Sequence, residues 1–214
     1  VRLVWARGEK LPEYDWHIPM LSLPGAMETD VATIPAKVPY LHAEPSRAKL
    51  WRGRVEAAAG RLRVGVAWAG SPSHTNDARR SIHPALLAPL AQLEGVTLFN
   101  LNKSKADEKR KPPGDLKLVD FTISLTDFGE TAALIEQLDL VISVDTAVAH
   151  LAGAMAKPVW TLLPFVPDWR WMLNRSDTPW YPTMRLFRQR TAGDWPSVIG
   201  AVRAALAQRV DASV

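Results

Sequence analysis

The sequence predicts an α/β domain built on a parallel, doubly wound sheet, and three observations carry that expectation. From Arg63 onward, short apolar runs bounded by glycine, proline or polar turns alternate with helical patterns over most of the remaining chain. Within several of those runs, such as VISV and VWTLL, successive residues are apolar rather than alternate ones, the pattern of strands buried on both faces. The chain has 214 residues, 47% of them hydrophobic and 22% charged, which is an ordinary soluble balance and enough for one large domain or one domain plus part of another.

The elements follow in order. Residues 1–44 are proline-rich and lack helical periodicity after one short strand, Arg2 to Ala6. So long an irregular connection is commoner between domains than within one. A helix is predicted from Ser46 to Ala59, with serine as its cap and Gly60 after it. Then come a strand in RVGVAWAG, a helix over Pro84 to Leu93, a strand in VTLFNLN and a weaker strand in KLVDF. Asp127 to Leu138 reads as a helix with an acidic first turn, DLVISVD as a strand and TAVAHLAGAM as a helix starting at once. PVWTLL and MRLFR complete the strands, separated by a tryptophan-rich loop, and Asp194 caps a final helix to Ala207. The domain boundary is expected near residue 60, with 1–60 a remnant of a preceding domain plus a linker helix and 61–214 the sheet domain.

Composition narrows the function classes. No apolar run reaches the ~18 residues of a membrane span, so no integral membrane segment is expected. There is no apolar stretch of signal-peptide length at the start. The chain opens on Val1 rather than Met, as a piece of a longer protein would. With no cysteine, disulfides, thiolate nucleophiles and Cys-based metal sites are excluded, which fits a cytoplasmic location. A net charge of +4 suits an anionic ligand. The densest basic stretch, Lys103 to Lys117, carries acids and prolines but no aromatic residue, and reads as a solvated loop rather than a nucleic-acid surface. No histidine pair has metal-ligand spacing and no Asp-x-Asp occurs, so no metal and no separate cofactor are expected.

Two stretches could carry chemistry. In VISVDTAVAHLAGAMAKP a strand ends at Asp145 and a helix begins at Thr146, where backbone N–H groups and the helix dipole favour a phosphate. Thr146 and His150 share a face of that helix, with Ala147 between them. The same Asp and Thr would also serve merely as helix caps. The second stretch, WAGSPSHTNDARRSI, follows the first strand of the sheet. It offers Gly70, Ser71, His74, Asp77, Arg80 and Ser81, with Arg80 the candidate phosphate ligand. It is neither GxGxxG nor a P-loop, so by itself it reads equally as a surface loop. The nine tryptophans fit core and interface packing, with Trp169 and Trp171 the candidates for a sugar-stacking platform.

With these residues in view, DTAVAHLAGAMAKPVWTLLP resembles the donor-site signature of the bacterial heptosyltransferases, an Asp-Thr-Gly-x-x-His-Leu-Ala pattern that binds ADP-heptose. Together with RVGVAWAGSPSHTNDARRSI and DTPWYPTMRLFRQ, it looks like the glycosyltransferase-like domain found behind tetratricopeptide repeats in bacterial proteins, over Pro19 to the C-terminus. The resemblance implies a GT-B architecture, of which this chain is the Rossmann-like C-terminal half. It implies a nucleotide-sugar donor, an acceptor hydroxyl on a glycan or protein, and an amino-terminal GT-B domain with upstream repeats as partners. It sets Asp145, Thr146 and His150 in the signature positions and the Gly70–Ser81 loop near the phosphates. The signature glycine is Ala147 here, whose methyl would crowd a close backbone approach to phosphate. The family's base comes from the amino-terminal domain, so none is assigned. A metal-independent glycosyltransferase in the longer protein, a nucleotide-binding module without turnover, and a scaffold without ligand all remain open. A dehydrogenase is disfavoured because no glycine fingerprint follows a strand.

Overall fold

The computed structural model describes residues 5–6, 8–58, 60–103 and 111–212. The chain forms two units, Val1–Pro35 and Ala36–Val214. The smaller unit holds a 3-10 turn, Met20–Ser22, and one turn of helix, α1 (Leu23–Ala26), followed by a turn in which Asp30 accepts hydrogen bonds from the N–H groups of Ala32 and Thr33. Of the strand expected over Arg2 to Ala6, only Trp5 and Ala6 are described, and neither is in a strand.

The larger unit begins its regular structure with helix α2 (Pro45–Ala58). Its cap is not Ser46. Glu44 accepts from the Ser46 and Arg47 N–H groups at 3.0 and 3.2 Å, and Pro45 occupies the first helical position, where its missing N–H costs nothing. Trp51 and Val55 enter the core from α2, and the Trp51 indole donates to Glu130 at 2.7 Å.

The sheet contains β1 (Leu62–Ala67), β2 (Val96–Asn100), β3 (Leu140–Val144), β4 (Val159–Leu163) and β5 (Met184–Arg188), all parallel, in the order β2-β1-β3-β4-β5. The strand expected in KLVDF is reduced to a single bridge, Val119 beside Phe99. Val119 exchanges backbone hydrogen bonds with Asn100 and Leu98 at 2.8 Å, but the next residue, Asp120, turns the chain away by accepting from the Thr122 N–H. Counting that bridge, the spatial order is 3-2-1-4-5-6, the doubly wound order whose switch point lies between β1 and β3.

Helices cover both faces. On one, α4 (Ala88–Ala91) and α7 (Trp195–Asp211) bury Leu90, Val198, Val202 and Leu206. On the other, α2, α5 (Phe128–Glu136) and α6 (Ala147–Ala154) bury Trp51, Leu134 and Ala152. The helix expected over Pro84 to Leu93 is broken into a 3-10 turn, Pro84–Leu87, and α4. Pro89 has no N–H to return to the Ala85 carbonyl, which instead accepts from Ala88. The final helix has its expected cap, Asp194 accepting from the Ser197 N–H at 3.1 Å, and runs on to Asp211.

Gly65 sits in the middle of β1, where a Cβ would lie 2.5 Å from Leu101 Cδ1 and 2.6 Å from Leu138 Cδ1. Both leucines are fully buried and have nowhere to move. Gly65→Ala should therefore destabilise by about 1–3 kcal/mol through overpacking, read as a lower denaturant midpoint at unchanged slope.

Candidate functional site

The carboxyl ends of β1, β2 and β3 open onto a cleft of about 750 Å3 at the switch point. One wall is the loop after β1, with Gly70, Ser71, Pro72, Ser73 and Arg80. The facing wall is Lys103, Leu125 and the start of α5 at Asp127 and Phe128. Thr146, Ala147 and Val148 close the end. Another cavity of about 670 Å3 lies at the opposite, amino-terminal edge of the sheet. Arg63, one of its three arginines, is engaged by Asp139 at 2.6 Å, and that cavity contains none of the switch-point residues, so the carboxyl-end cleft is the candidate site.

The floor is set by a chain of hydrogen bonds through two asparagine side chains. Asn102 accepts from the Ala69 N–H at 2.7 Å, Asn100 accepts from the Asn102 N–H at 2.8 Å, and the Asn100 amide donates to Asp120 at 3.0 Å. These asparagines are buried, and their bonds fix the loops that leave β1 and β2.

Arg80 ends the helical turn α3 (Asp77–Arg80) and reaches back to the switch point. Its Nη1 donates to the Asp145 carbonyl at 2.9 Å, which ties the loop after β1 to the end of β3. Asp77, only 2% exposed, lies 3.4 Å from Arg80 Nε. Ser81 donates to Asp77 at 3.0 Å and accepts from the Gly70 N–H at 3.1 Å. A Cβ on Gly70 would stand 2.4 Å from Arg80 Nη2, so the absence of a side chain there is what lets the guanidinium lie along the cleft.

Helix α6 starts at the same opening, two residues after the Asp145 carbonyl that Arg80 holds. Thr146 has the extended conformation of a cap residue, but its hydroxyl makes no capping bond and lies 3.1 Å from the Ser143 hydroxyl instead. Among the described residues, then, no side chain caps the first N–H groups of α6, beside Arg80. The Asp145 carboxylate faces His150, with Oδ1 3.7 Å from Nε2. Burial alone would raise its pKa. The polar edges of His150 and Trp171 beside it and the charge of Arg80 outweigh burial and hold it below the ordinary carboxylate value. A lowered folded-state pKa contributes stability that is complete above the unfolded value of about 4 and is lost as pH falls through the folded value. Asp145→Asn should accordingly be less stable than the parent at neutral pH, with the gap closing below about pH 4 in a pH series of denaturant titrations.

The sequence-derived candidates divide into three groups. Gly70, Ser71, Arg80, Thr146 and Ala147 line the cleft. Asp77 and Ser81 stand behind it as the brace of Arg80. Asp145 offers the cleft side only its carbonyl, through Arg80, while His150 turns toward Trp171 and Tyr181. His74 is apart from the others: it is exposed, and its Nδ1 accepts from the Asn76 N–H at 3.2 Å. Trp171 is fully buried and stacks on His150, so it is no sugar platform, whereas Trp169 is exposed. Sequence reasoning missed Asn102, Lys103, Asp127 and Phe128. Lys103, read there as the start of a solvated loop, donates to the Leu125 carbonyl and joins the second wall. The rest of that basic run through residue 110 lies outside the described residues. The carboxyl-end rule that selected Asp145 would also have selected Lys103, which lies three residues beyond the end of β2.

Among the described residues no helix is long and apolar enough to cross a membrane, and no group of three acidic or imidazole side chains is placed to hold a metal. Residues 85–167 match glycosyltransferase family 9 (heptosyltransferase). Over 185 residues the chain is 28% identical to protein FlbA of Caulobacter vibrioides, covering 80% of this chain and 29% of that protein. The structure of the E. coli ADP-heptose lps heptosyltransferase II shares the fold at a TM-score of 0.52 and 16% identity, over 82% of this chain and 56% of that one. A glycosyl transferase family 9 structure from Veillonella parvula does so at 0.55 and 13% identity, over 88% and 57%. The chain therefore spans less than a third of the curated relative and little more than half of each solved structure.

Proposed function

With heptosyltransferase-like sequence over residues 85–167, carried on a sheet of the kind found in about half of a GT-B glycosyltransferase, we propose that this chain is the donor-binding half of a metal-independent glycosyltransferase. The observation that carries the proposal is Arg80, braced by Asp77 and bonded to the Asp145 carbonyl, lying beside the uncapped start of α6. The diphosphate of a nucleotide sugar would span these two positive features. In the reaction the acceptor oxygen bonds to the anomeric carbon and the bond from that carbon to the diphosphate breaks. Arg80 and the α6 N–H groups then take up the charge that grows on the departing diphosphate, the work a metal cation does elsewhere. The proton of the acceptor hydroxyl goes to a base supplied by an amino-terminal domain. That domain, repeats upstream of it and a cytoplasmic location belong to the same proposal for the longer protein.

Calorimetric titration with ADP, UDP and GDP and their sugar conjugates tests the donor site. Binding of one diphosphate, weakened in Arg80→Ala, is the expected result. A folded protein that binds none of them, either alone or within the longer chain, sinks the reading. A binding module without turnover is the second reading, favoured by the Ala147 methyl, which is exposed on the cleft where the signature has glycine. Saturable binding without sugar transfer by the longer protein would select it.

A further inference from the structure

His150 is held on three sides by groups that no catalytic role yet requires. The Trp171 ring stacks on it at 5.2 Å between centroids and 20° between planes. The Tyr181 hydroxyl lies 3.1 Å from Nδ1, and Asp145 Oδ1 lies 3.7 Å from Nε2. Both rings come from the segment between β4 and β5, which a single arginine pins. The Arg188 guanidinium donates to the carbonyls of Trp171, Met172 and Arg175, the last two at 2.9 and 2.8 Å. Tyr181 is buried and wedged against α6 at Gly153, where a Cβ would come within 2.6 Å of the ring. Its position relative to the imidazole is thus fixed from behind.

The chemistry of the neighbours assigns the hydrogens. A carboxylate only accepts, so Nε2 facing Asp145 carries a hydrogen in both the neutral and the charged ring. In the neutral ring Nδ1 is then a lone pair, and it faces a hydroxyl. Burial pushes the Tyr181 phenol well above its ordinary range, so it keeps its proton, and at 3.1 Å from Nδ1 it can donate that hydrogen to the ring. In the imidazolium the same hydroxyl turns and accepts. At 3.7 Å the Nε2–H is near Asp145 without being consumed by it, which leaves it able to meet an oxygen of a bound ligand.

We propose that Tyr181 is a positioning residue that fixes His150 in its Nε2–H tautomer beside Asp145, so that the imidazole acts as a directed donor at the end of β3. Its consequence for ligand binding rests on the donor-site reading above, whereas the tautomer itself does not. The test is long-range proton–nitrogen NMR of the ligand-free protein, recorded at rising pH until the His150 signals no longer move, with those signals assigned by their loss in His150→Gln. The parent should show a protonated Nε2 and an unprotonated Nδ1. Tyr181→Phe keeps the ring against Gly153 and removes only the hydroxyl. It should give a mixture of tautomers and about fivefold weaker binding of whichever nucleoside diphosphate the parent binds. A parent ring protonated at Nδ1 overturns the proposal without needing any variant, and so does a Tyr181→Phe spectrum identical to the parent's. A tautomer change with unchanged nucleotide affinity overturns the positioning role. A tautomer change in a protein that binds no nucleotide upholds the hold of Tyr181 on His150 and sinks the donor reading instead.

Discussion

Arg80→Ala should weaken binding of a nucleoside diphosphate by about 10- to 100-fold, the range for losing charge-assisted hydrogen bonds to a phosphate. Two side-chain contacts hold the guanidinium in place, the Asp145 carbonyl and Asp77, so it meets a ligand without first having to be ordered. Gly70→Ala makes the same point without removing the charge. The added methyl would occupy the space 2.4 Å from Arg80 Nη2 and force the guanidinium off the cleft wall. Its affinity should therefore fall toward that of Arg80→Ala. Calorimetry on both variants decides between position and charge. If Gly70→Ala binds like the parent while Arg80→Ala does not, the arginine acts as a diffuse charge and its fixed orientation is irrelevant.

Asp77→Ala should destabilise the fold by about 3 kcal/mol, the lower end for breaking a buried ion pair because the Arg80 side chain is still 13% exposed. The loss has two parts. The guanidinium is left in a largely desolvated position without its carboxylate, and the Ser81 hydroxyl loses its acceptor, which loosens the bond to the Gly70 N–H. Asp115→Ala, on an exposed loop, is the control and should change stability by no more than about 0.5 kcal/mol. Denaturant unfolding measures both. An Asp77 variant as stable as the Asp115 control would mean that the brace contributes nothing and that Arg80 is held by the Asp145 carbonyl alone.

Much of the fold was legible in the sequence because its signals are local. The apolar runs at 62–67, 140–144 and 159–163 are strands for the reason that betrayed them: a strand covered by helices on both faces has no solvent side to make polar. Asp194 was readable as a cap because capping needs only a short side chain three residues from a free N–H, whereas Asp127, read as the first residue of its helix, caps it from outside. The misreadings came where a local rule met a competitor a few residues away. Pro89 cut the helix after Pro84, Glu44 took the cap from Ser46, and Asp120 ended the third strand after one residue.

The candidate site was legible only in part. The placement of Arg80 and Thr146 at strand ends follows from topology, and topology follows from the order of elements. By itself, then, the sequence determined the class of sheet, the positions of its strands and the two segments that meet at the switch point, because each depends on residues adjacent in the chain. The tertiary structure decided what those residues do. Asp77 sits behind Arg80 as its brace, His74 stands in solvent, and His150 is gripped by Trp171 and Tyr181. Those outcomes depend on contacts between segments far apart in sequence, such as Arg80 with Asp145 and His150 with Tyr181, and on the exclusion of water that gives such contacts their strength.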